Sequence, residues 1–296
     1  MAIAQATGDA APRGGRLRGL AAFLLGSWEA RIGGAILIVF AIMAVFGSVL
    51  TPYPPTEIAV GLPNEGPSAA HWLGTDGLGR DTFSRIIAGA GSVIVVPLVA
   101  TVLSFVIGGI FGIAAGYLGG RFDAIGNRVL EILLALPPLL VVLVVIASFG
   151  SSPAVIIISV MLVYSPRVAR VLRGAALGVA TKEYIQAAQA RGERRLPILL
   201  RELLPNISSV VLVEFAVRLT YAIIFVATLN FLGLGVQPPS PNWGAMLFES
   251  RVTIITNPVA TIAPTAAIGL LAVGIGLLAD AASRRFGLDD ASEIIR

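Results

Sequence analysis

Long hydrophobic stretches without charge, separated by short polar segments, dominate this sequence. Two of them run over 32–50 and 86–120, and a third covers 132–166, where Gly150-Ser-Ser-Pro153 divides it. The second and third are separated by a predicted short charged loop with Arg121, Asp123, Arg128 and Glu131. Two more follow within 208–235 and 259–279. A helix needs about 20 apolar residues to cross roughly 30 Å of hydrocarbon. The pattern therefore predicts an all-α membrane protein with six transmembrane helices.

The polar segments between these stretches divide the chain into regions. We expect a cytoplasmic N-terminal segment at 1–31, a first transmembrane helix at 32–50, an extracytoplasmic segment at 51–91, a five-helix core at 92–280 containing the polar loop 175–206, and a cytoplasmic tail at 281–296. The basic start could also belong to a cleaved signal peptide. Since 32–50 has spanning length and no clear Ala-x-Ala site follows it, a retained helix is favoured.

Small residues recur at every fourth position in the second hydrophobic stretch: Ser104, Gly108, Gly112, Gly116 and Gly120. Such a ridge lets two membrane helices approach closely. Packing inside one bundle is favoured over a dimer interface. In the third stretch, Pro137 and Pro138 predict a kink, which would either line a substrate path or serve packing alone.

Composition narrows the class of protein. Only 13% of the 296 residues are charged, against about 25% in soluble domains, and 56% are hydrophobic. The absence of cysteine excludes disulfides and thiolate metal sites, and the single histidine, His71, excludes a multi-histidine metal cage.

The net charge of +4 follows from membrane orientation rather than nucleic-acid binding. With the N-terminus inside, the outer loops carry only Arg80, Arg85 and Arg251. The loop around 175–206 with its flanks, and the tail, carry Arg167, Arg170, Arg173, Lys182, Arg191, Arg194, Arg195, Arg201, Arg284, Arg285 and Arg296. This positive-inside bias places the polar loop and both termini in the cytoplasm.

Three polar residues fall within the fifth hydrophobic stretch. Glu214 and Arg218 are four residues apart and can pair on one helix face. In hydrocarbon they would mark a functional site. A late start of the span would leave them at the cytoplasmic interface, and this placement is favoured. Asn230 is a pathway candidate, with helix–helix hydrogen bonding as the alternative.

The polar loop predicts two short helices joined by a glycine. Thr181 can cap the first helix, Glu183 lies in its first turn and Arg191 in its last, and Gly192 supplies the left-handed residue that ends it. Pro197 suits the first turn of a second helix, which Pro205 limits. The small residues Ala187, Ala188 and Gly192 would form a docking surface, with Gln186 at its rim. The alternative is a generic helix between two spans.

This loop resembles the EAA loop of the membrane subunits of ABC importers. Gln186-Ala187-Ala188, Gly192 and Leu204-Pro205 stand at the family's spacing, whereas Gln186 replaces its Glu and Glu202 stands where it has Ile or His. The resemblance implies that the following residues contact an ATPase: Glu183, Tyr184, Gln186, Ala187, Ala188, Arg191, Gly192, Leu204 and Pro205.

Two further stretches resemble signatures of the dipeptide, oligopeptide and nickel branch of these permeases. They are His71-Trp-Leu-Gly-Thr-Asp-Gly-Leu-Gly-Arg-Asp81 and Phe231-Leu-Gly-Leu-Gly-Val-Gln-Pro-Pro-Ser-Pro-Asn-Trp-Gly244. The resemblance covers nearly the whole chain and is to the second permease subunit type. It implies a type I ABC importer permease fold with a cytoplasmic coupling helix, and import of di- or oligopeptides.

The same resemblance implies the location and the partners of this chain. It would lie in the bacterial inner membrane, among lipid, with a sister permease subunit, ABC ATPase subunits and an extracytoplasmic substrate-binding protein, and without nucleic acid. It would hold no cofactor and catalyse no reaction, since ATP and Mg²⁺ would be used by the partner subunits. A related solute such as nickel or glutathione, and an ATP-independent secondary transporter or channel, remain alternatives. The inverted repeats expected of a secondary transporter are not found.

Overall fold

The fold is a bundle of long helices, described by a computed structural model over residues 26–285. The predicted N-terminal segment before residue 26 and the tail after residue 285 lie outside this range. The helices are α1 (Trp28–Leu50), α2 (Thr82–Leu118), α3 (Gly120–Ala135), α4 (Pro138–Phe149), α5 (Pro153–Ala180), α6 (Glu183–Ala190), α7 (Ser208–Phe231), α8 (Trp243–Ser250) and α9 (Val259–Arg285), with a further helical segment at 195–206 between α6 and α7.

Five of these helices, α1, α2, α5, α7 and α9, are long and apolar enough to cross a membrane, and the total is six if α3 and α4, which are bent by 82° relative to each other, count as one span. The bend lies at Leu136 and Pro137, both of which have extended backbone angles. A residue that precedes proline is disfavoured in the helical region, so the double proline forces the break. The predicted kink is confirmed, as a complete interruption.

The charged residues before this bend were expected to form a short loop, and that expectation is wrong. Arg121, Asp123, Arg128 and Glu131 lie on α3. Both carboxylate oxygens of Asp123 accept hydrogen bonds from the guanidinium of Arg173 on α5. This pairing holds the charged side of α3 against the bundle, so the helix can continue through the charged residues.

The glycine ridge of α2 packs directly against the backbone of α5. A Cβ atom at Gly108 or Gly112 would lie 2.3 Å from the carbonyl oxygen of Ser165 or Ala169, and one at Gly116 would lie 2.5 Å from that of Arg173. These distances leave no room for a side chain, so the ridge packs within one bundle as favoured. Gly120 is an exception, because it is the first residue of α3 and no helix packs near the position that a Cβ atom would occupy there.

The segment before α2 is held by buried ion pairs. Asp76 accepts hydrogen bonds from Arg80 Nε at 2.7 Å and Arg85 Nη1 at 2.6 Å. Glu249 of α8 lies 2.6 Å from Arg80 Nη2 and 3.0 Å from Arg85 Nη2. Burial raises the pKa of Glu249, while the charge of Arg80 acts in the opposite direction. We call these four residues the cap cluster; they join segment 51–81, α2 and α8.

Candidate docking site and pathway residues

The loop between α5 and α7 folds as the predicted two-helix elbow, which we define as residues 181–206. Its first helix, α6, buries Ile185 and Ala188 against Ile198 of the second segment. Tyr117 at the end of α2 and Val179 near the end of α5 pack beside them. A helix of eight residues is marginal alone, so these contacts stabilise it. The prediction that Ala188 is exposed for docking is therefore wrong, because it is 1% exposed.

The end of α6 forms a Schellman motif around Gly192. This residue has φ +77°, as predicted for a left-handed terminator. Its N–H donates to the carbonyl of Gln189 at 2.9 Å, and the N–H of Glu193 donates to that of Ala188 at 3.2 Å. These are the two bonds that define the motif. The elbow angle is thus fixed by hydrogen bonds that require this backbone conformation.

The beginning of α6 differs from the prediction. Lys182 occupies the N-cap position without a side-chain hydrogen bond, and Thr181 instead ends α5. The hydroxyl of Thr181 donates to the carbonyl oxygen of Gly178 at 3.1 Å. Because α5 extends to Ala180, Thr181 is the C-cap residue of α5 and not the N-cap residue of α6.

The second arm of the elbow, 195–206, is helical throughout, with a π-helical stretch at Ile198–Leu203. Leu203 and the following Ile207 are buried against Ala176 of α5, which anchors this arm. The segment ends at Asn206, directly after Pro205. Leu204 and Pro205 are exposed on its surface.

Most of the predicted ATPase-contacting residues share the open surface of this elbow. The exposed members are Glu183, Tyr184, Gln186, Ala187, Arg191, Gly192, Leu204 and Pro205. Arg191 donates to Glu193 at 2.6 Å, and Gln186 donates to the carbonyl oxygen of Thr181 at 3.3 Å. The surface therefore combines small, polar and charged groups on a core that is anchored to α2 and α5.

The elbow and the cap cluster lie at opposite ends of the bundle. Tyr117, which touches the elbow, is at the end of α2, and Arg85 of the cap cluster is in its first turn. The helix has 37 residues. At a rise of 1.5 Å per residue it is about 54 Å long, which exceeds the thickness of a membrane.

Glu214 and Arg218 form the predicted ion pair, with only 12% and 18% of their side chains exposed. Arg218 lies 13 residues before the end of α7 at Phe231, which is about 20 Å along the helix. The favoured placement of the pair at the membrane interface stays a prediction.

The other pathway candidates differ in exposure. Asn230 is 2% exposed; its amide donates to the carbonyl oxygen of Val226 at 2.7 Å and accepts from the N–H of Val236 at 2.7 Å. It therefore fixes the turn after α7 and is too buried to contact a passing solute. Pro137 is exposed and Pro138 is half-buried at the break between α3 and α4.

Sequence reasoning did not single out Arg167, which lies inside α5 and not at its end. It was counted only as the first charge after a hydrophobic stretch, whereas α5 continues for another 13 residues to Ala180. The missed signal is its spacing from Tyr164, since residues three apart share a helix face.

Comparisons with known proteins agree with this geometry. Residues 108–287 match the family model described as binding-protein-dependent transport system inner membrane component, and residues 28–67 match that of the N-terminal TM domain of oligopeptide transport permease C. The glutathione transport system permease protein GsiD of Pectobacterium atrosepticum is 38% identical over 87% of this chain and 84% of the relative. The protein of that name from Escherichia coli O1:K1 is 36% identical over 86% and 82%.

A solved structure supports the fold independently of close sequence similarity. The inward-facing MetNI methionine ABC transporter has a chain that aligns with a TM-score of 0.58 and 17% identity, covering 68% of this chain and 95% of that one. The secondary-transporter alternative does not fit these matches. The chain belongs to the family of inner-membrane permease components of binding-protein-dependent ABC importers, non-catalytic subunits whose ATPase is a separate chain.

Proposed function

We propose that this chain imports di- or oligopeptides into the cytoplasm and receives the energy of ATP through the elbow 181–206. The observation that carries the proposal is the elbow itself: an exposed surface on a buried anchor, at the far end of α2 from the cap cluster. Such a surface suits docking of a second protein, and its movement would reach both α2 and α5.

The proposed assembly follows from the family. It contains this chain, a sister permease, ATPase subunits and an extracytoplasmic substrate-binding protein in the bacterial inner membrane. The partner ATPases would use ATP and Mg²⁺, and both termini and the elbow would face the cytoplasm, in keeping with the arginine distribution.

Two observations support a peptide as the solute. The N-terminal family model is named for oligopeptide transport, and the relatives reported above are named for glutathione. Glutathione is itself a modified tripeptide with free carboxylates, so it is the second candidate. Both candidates share amide and carboxylate groups.

Uptake by the reconstituted complex tests the proposal. Proteoliposomes containing both permeases and the ATPases, supplied with the binding protein, should accumulate labelled alanyl-alanine, a longer peptide or glutathione only with ATP and Mg²⁺. Unlabelled competitors then identify the solute. Uptake by this chain alone without ATP would contradict the proposal, and so would the absence of ATPase subunits from the purified complex.

Single cysteines in this cysteine-free chain test the orientation. Cysteine at Ile58 or Ile255, which are 64% and 93% exposed, should react with an impermeant thiol reagent from outside. Cysteine at the exposed Ala187 should react only after the membrane is opened. Labelling of position 187 in intact cells would refute a cytoplasmic elbow.

A further inference from the structure

A polar cluster lies where α5 meets α7 in the interior of the bundle. Glu214, Arg218 and Tyr221 share one face of α7, since they are four and three residues apart. Tyr164 and Arg167 share a face of α5 in the same way. Tyr164 packs in one core cluster with Ala222 and Val226 of α7, and the Arg218 charge lies near enough to act on both Tyr164 and Arg167. Tyr164 also packs edge-on against Phe225 of α7, with ring centroids 6.1 Å apart.

The two arginines lie at the same depth. Arg167 is 14 residues from the start of α5 at Pro153, which is about 21 Å along the helix. Arg218 is 13 residues from the end of α7 at Phe231, which is about 20 Å. The start of α5 and the end of α7 belong to the same side of the bundle. With those two helix ends at one edge of a hydrocarbon layer roughly 30 Å thick, both residues lie about 10 Å inside its other edge.

The cluster carries an excess of one positive charge. Glu214 is paired with Arg218. Arg167 donates to its own helix at the carbonyl oxygen of Val163, 2.6 Å away, and its guanidinium carbon lies 5.8 Å from the centre of the Tyr164 ring. Within residues 26–285, Arg167 pairs with no carboxylate. One arginine is thus neutralised and the other is not.

The cluster opens toward the outside of this chain. Tyr221 is 56% exposed, whereas Tyr164 is 8% exposed and forms the floor. Arg167 is half-buried between them. Charged side chains at such a depth almost always face a water-filled path or another protein rather than lipid, and they mark substrate pathways.

We propose that Arg167 and Arg218 form a transient carboxylate-binding site on the transport path, which takes the carboxylate of a peptide or of glutathione. This rests on the proposed function and adds a site to it. Arg167 would bind the carboxylate through its planar fork of N–H donors, and the Tyr221 hydroxyl is placed to add a hydrogen bond. Glu214 is a positioning residue that holds Arg218 and limits the excess charge to one.

The charge balance suits a transport site. A permeating solute must bind well enough to enter and weakly enough to leave. Two unpaired arginines would hold a carboxylate more tightly, and a neutral cluster would not attract it. One excess charge beside a water-filled path lies between these limits.

Thiol chemistry at position 221 measures the local charge directly. In the complete complex bearing Tyr221→Cys, the rate of an anionic sulfonate methanethiosulfonate reagent relative to a cationic trimethylammonium one should be higher than the same ratio measured with a small free thiol. Arg167→Gln should lower the ratio of these rates by about three- to tenfold, the effect of one charge at this range in partly aqueous surroundings. Arg170→Gln is the matched control, because Arg170 is exposed three residues further along α5. An equal effect of both substitutions would overturn the proposal.

Transport by variants with tyrosine at position 221 tests the ligand class. With saturating loaded binding protein, Arg167→Gln should lower uptake of glutathione or alanyl-alanine about tenfold, and Arg167→Lys should restore part of it. Alanyl-alanine amide, a cation that lacks the carboxylate, should be transported by the Gln variant at least as well as by the parent. Normal carboxylate uptake by Arg167→Gln would refute the site.

A pull-down of the sister permease tests the remaining explanation, that Arg167 holds the two permease subunits together. If Arg167→Gln releases the sister permease while uptake per assembled complex stays normal, the arginine pairs across the subunit interface and the proposal is wrong. Failure of the parent complex to show ATP-dependent uptake would instead refute the proposed function. These two failures are therefore distinguishable.

Discussion

Replacing Gly192 with valine tests whether the elbow angle controls ATPase docking. No atom lies within 4 Å of the position that a Cβ would occupy, so the substitution creates no clash. The cost comes from the backbone, because φ is +77° and β-branched residues are strongly disfavoured there. Such strain is about 1–3 kcal/mol. If the chain relieves it by leaving the left-handed region, both hydrogen bonds of the Schellman motif break.

That energy is small for the bundle and large for an interface. A cost of 1–3 kcal/mol, if it falls on the docked state, weakens association roughly 5- to 150-fold, since 1.4 kcal/mol is a factor of ten. Gly192→Val should therefore insert and pair with the sister permease normally. The apparent Kd for the ATPase subunits, measured by titrating them onto the permease pair in nanodiscs, should rise, and ligand-stimulated ATP hydrolysis should fall.

Two matched variants isolate the backbone effect. Gly192→Asn keeps a residue that tolerates the left-handed region and should lose much less affinity. Gly178→Val adds the same side chain in open space on α5, near the elbow but without a positive φ, and should dock normally. If Gly192→Val docks and stimulates hydrolysis as well as Gly178→Val does, the elbow conformation does not govern coupling.

Two further predictions concern stability. Gly112→Ala should destabilise the chain by about 1–3 kcal/mol through overpacking, because the added Cβ would lie 2.3 Å from the carbonyl oxygen of Ala169. Gly109→Ala is the control and should cost little, since its Cβ would lie 3.3 Å from a flexible leucine methyl. Equal thermal unfolding midpoints of the two variants would contradict this prediction. Arg85→Met should destabilise the chain by about 3–5 kcal/mol, because it removes one of the positive charges that pair with the buried carboxylates. Arg128→Met is the control and should cost under about 1 kcal/mol, since 79% of the Arg128 side chain is exposed in the parent. The rates of proteolysis of segment 51–81 in the two variants measure the difference.

Features that depend on local backbone chemistry were predictable from the sequence. The positive φ of Gly192, the break at Pro137 and the close packing of the glycine ridge all follow from what glycine and proline permit. The number of spans follows equally directly from the length of apolar stretches.

Features that depend on which side of a helix meets a neighbour were not predictable. Ala187 and Ala188 are adjacent alanines in one short helix, and the positions of Ile198, Tyr117 and Val179 decide that the second is buried. The charges of α3 indicated a loop until Arg173 of another helix paired with Asp123. Likewise, the surroundings of Arg167 depend on the packing of α5 against α7, which brings Tyr164 against Phe225.

The glycine seam between α2 and α5 has a mechanical consequence. Three close backbone approaches, four residues apart, prevent the two helices from sliding or turning past each other. The elbow continues directly from α5, and the cap cluster begins at the other end of α2. We therefore expect α2 and α5 to move as one rigid unit, so that a tilt imposed at the elbow also displaces the cap cluster, about 48 Å away between Tyr117 and Arg85 of α2.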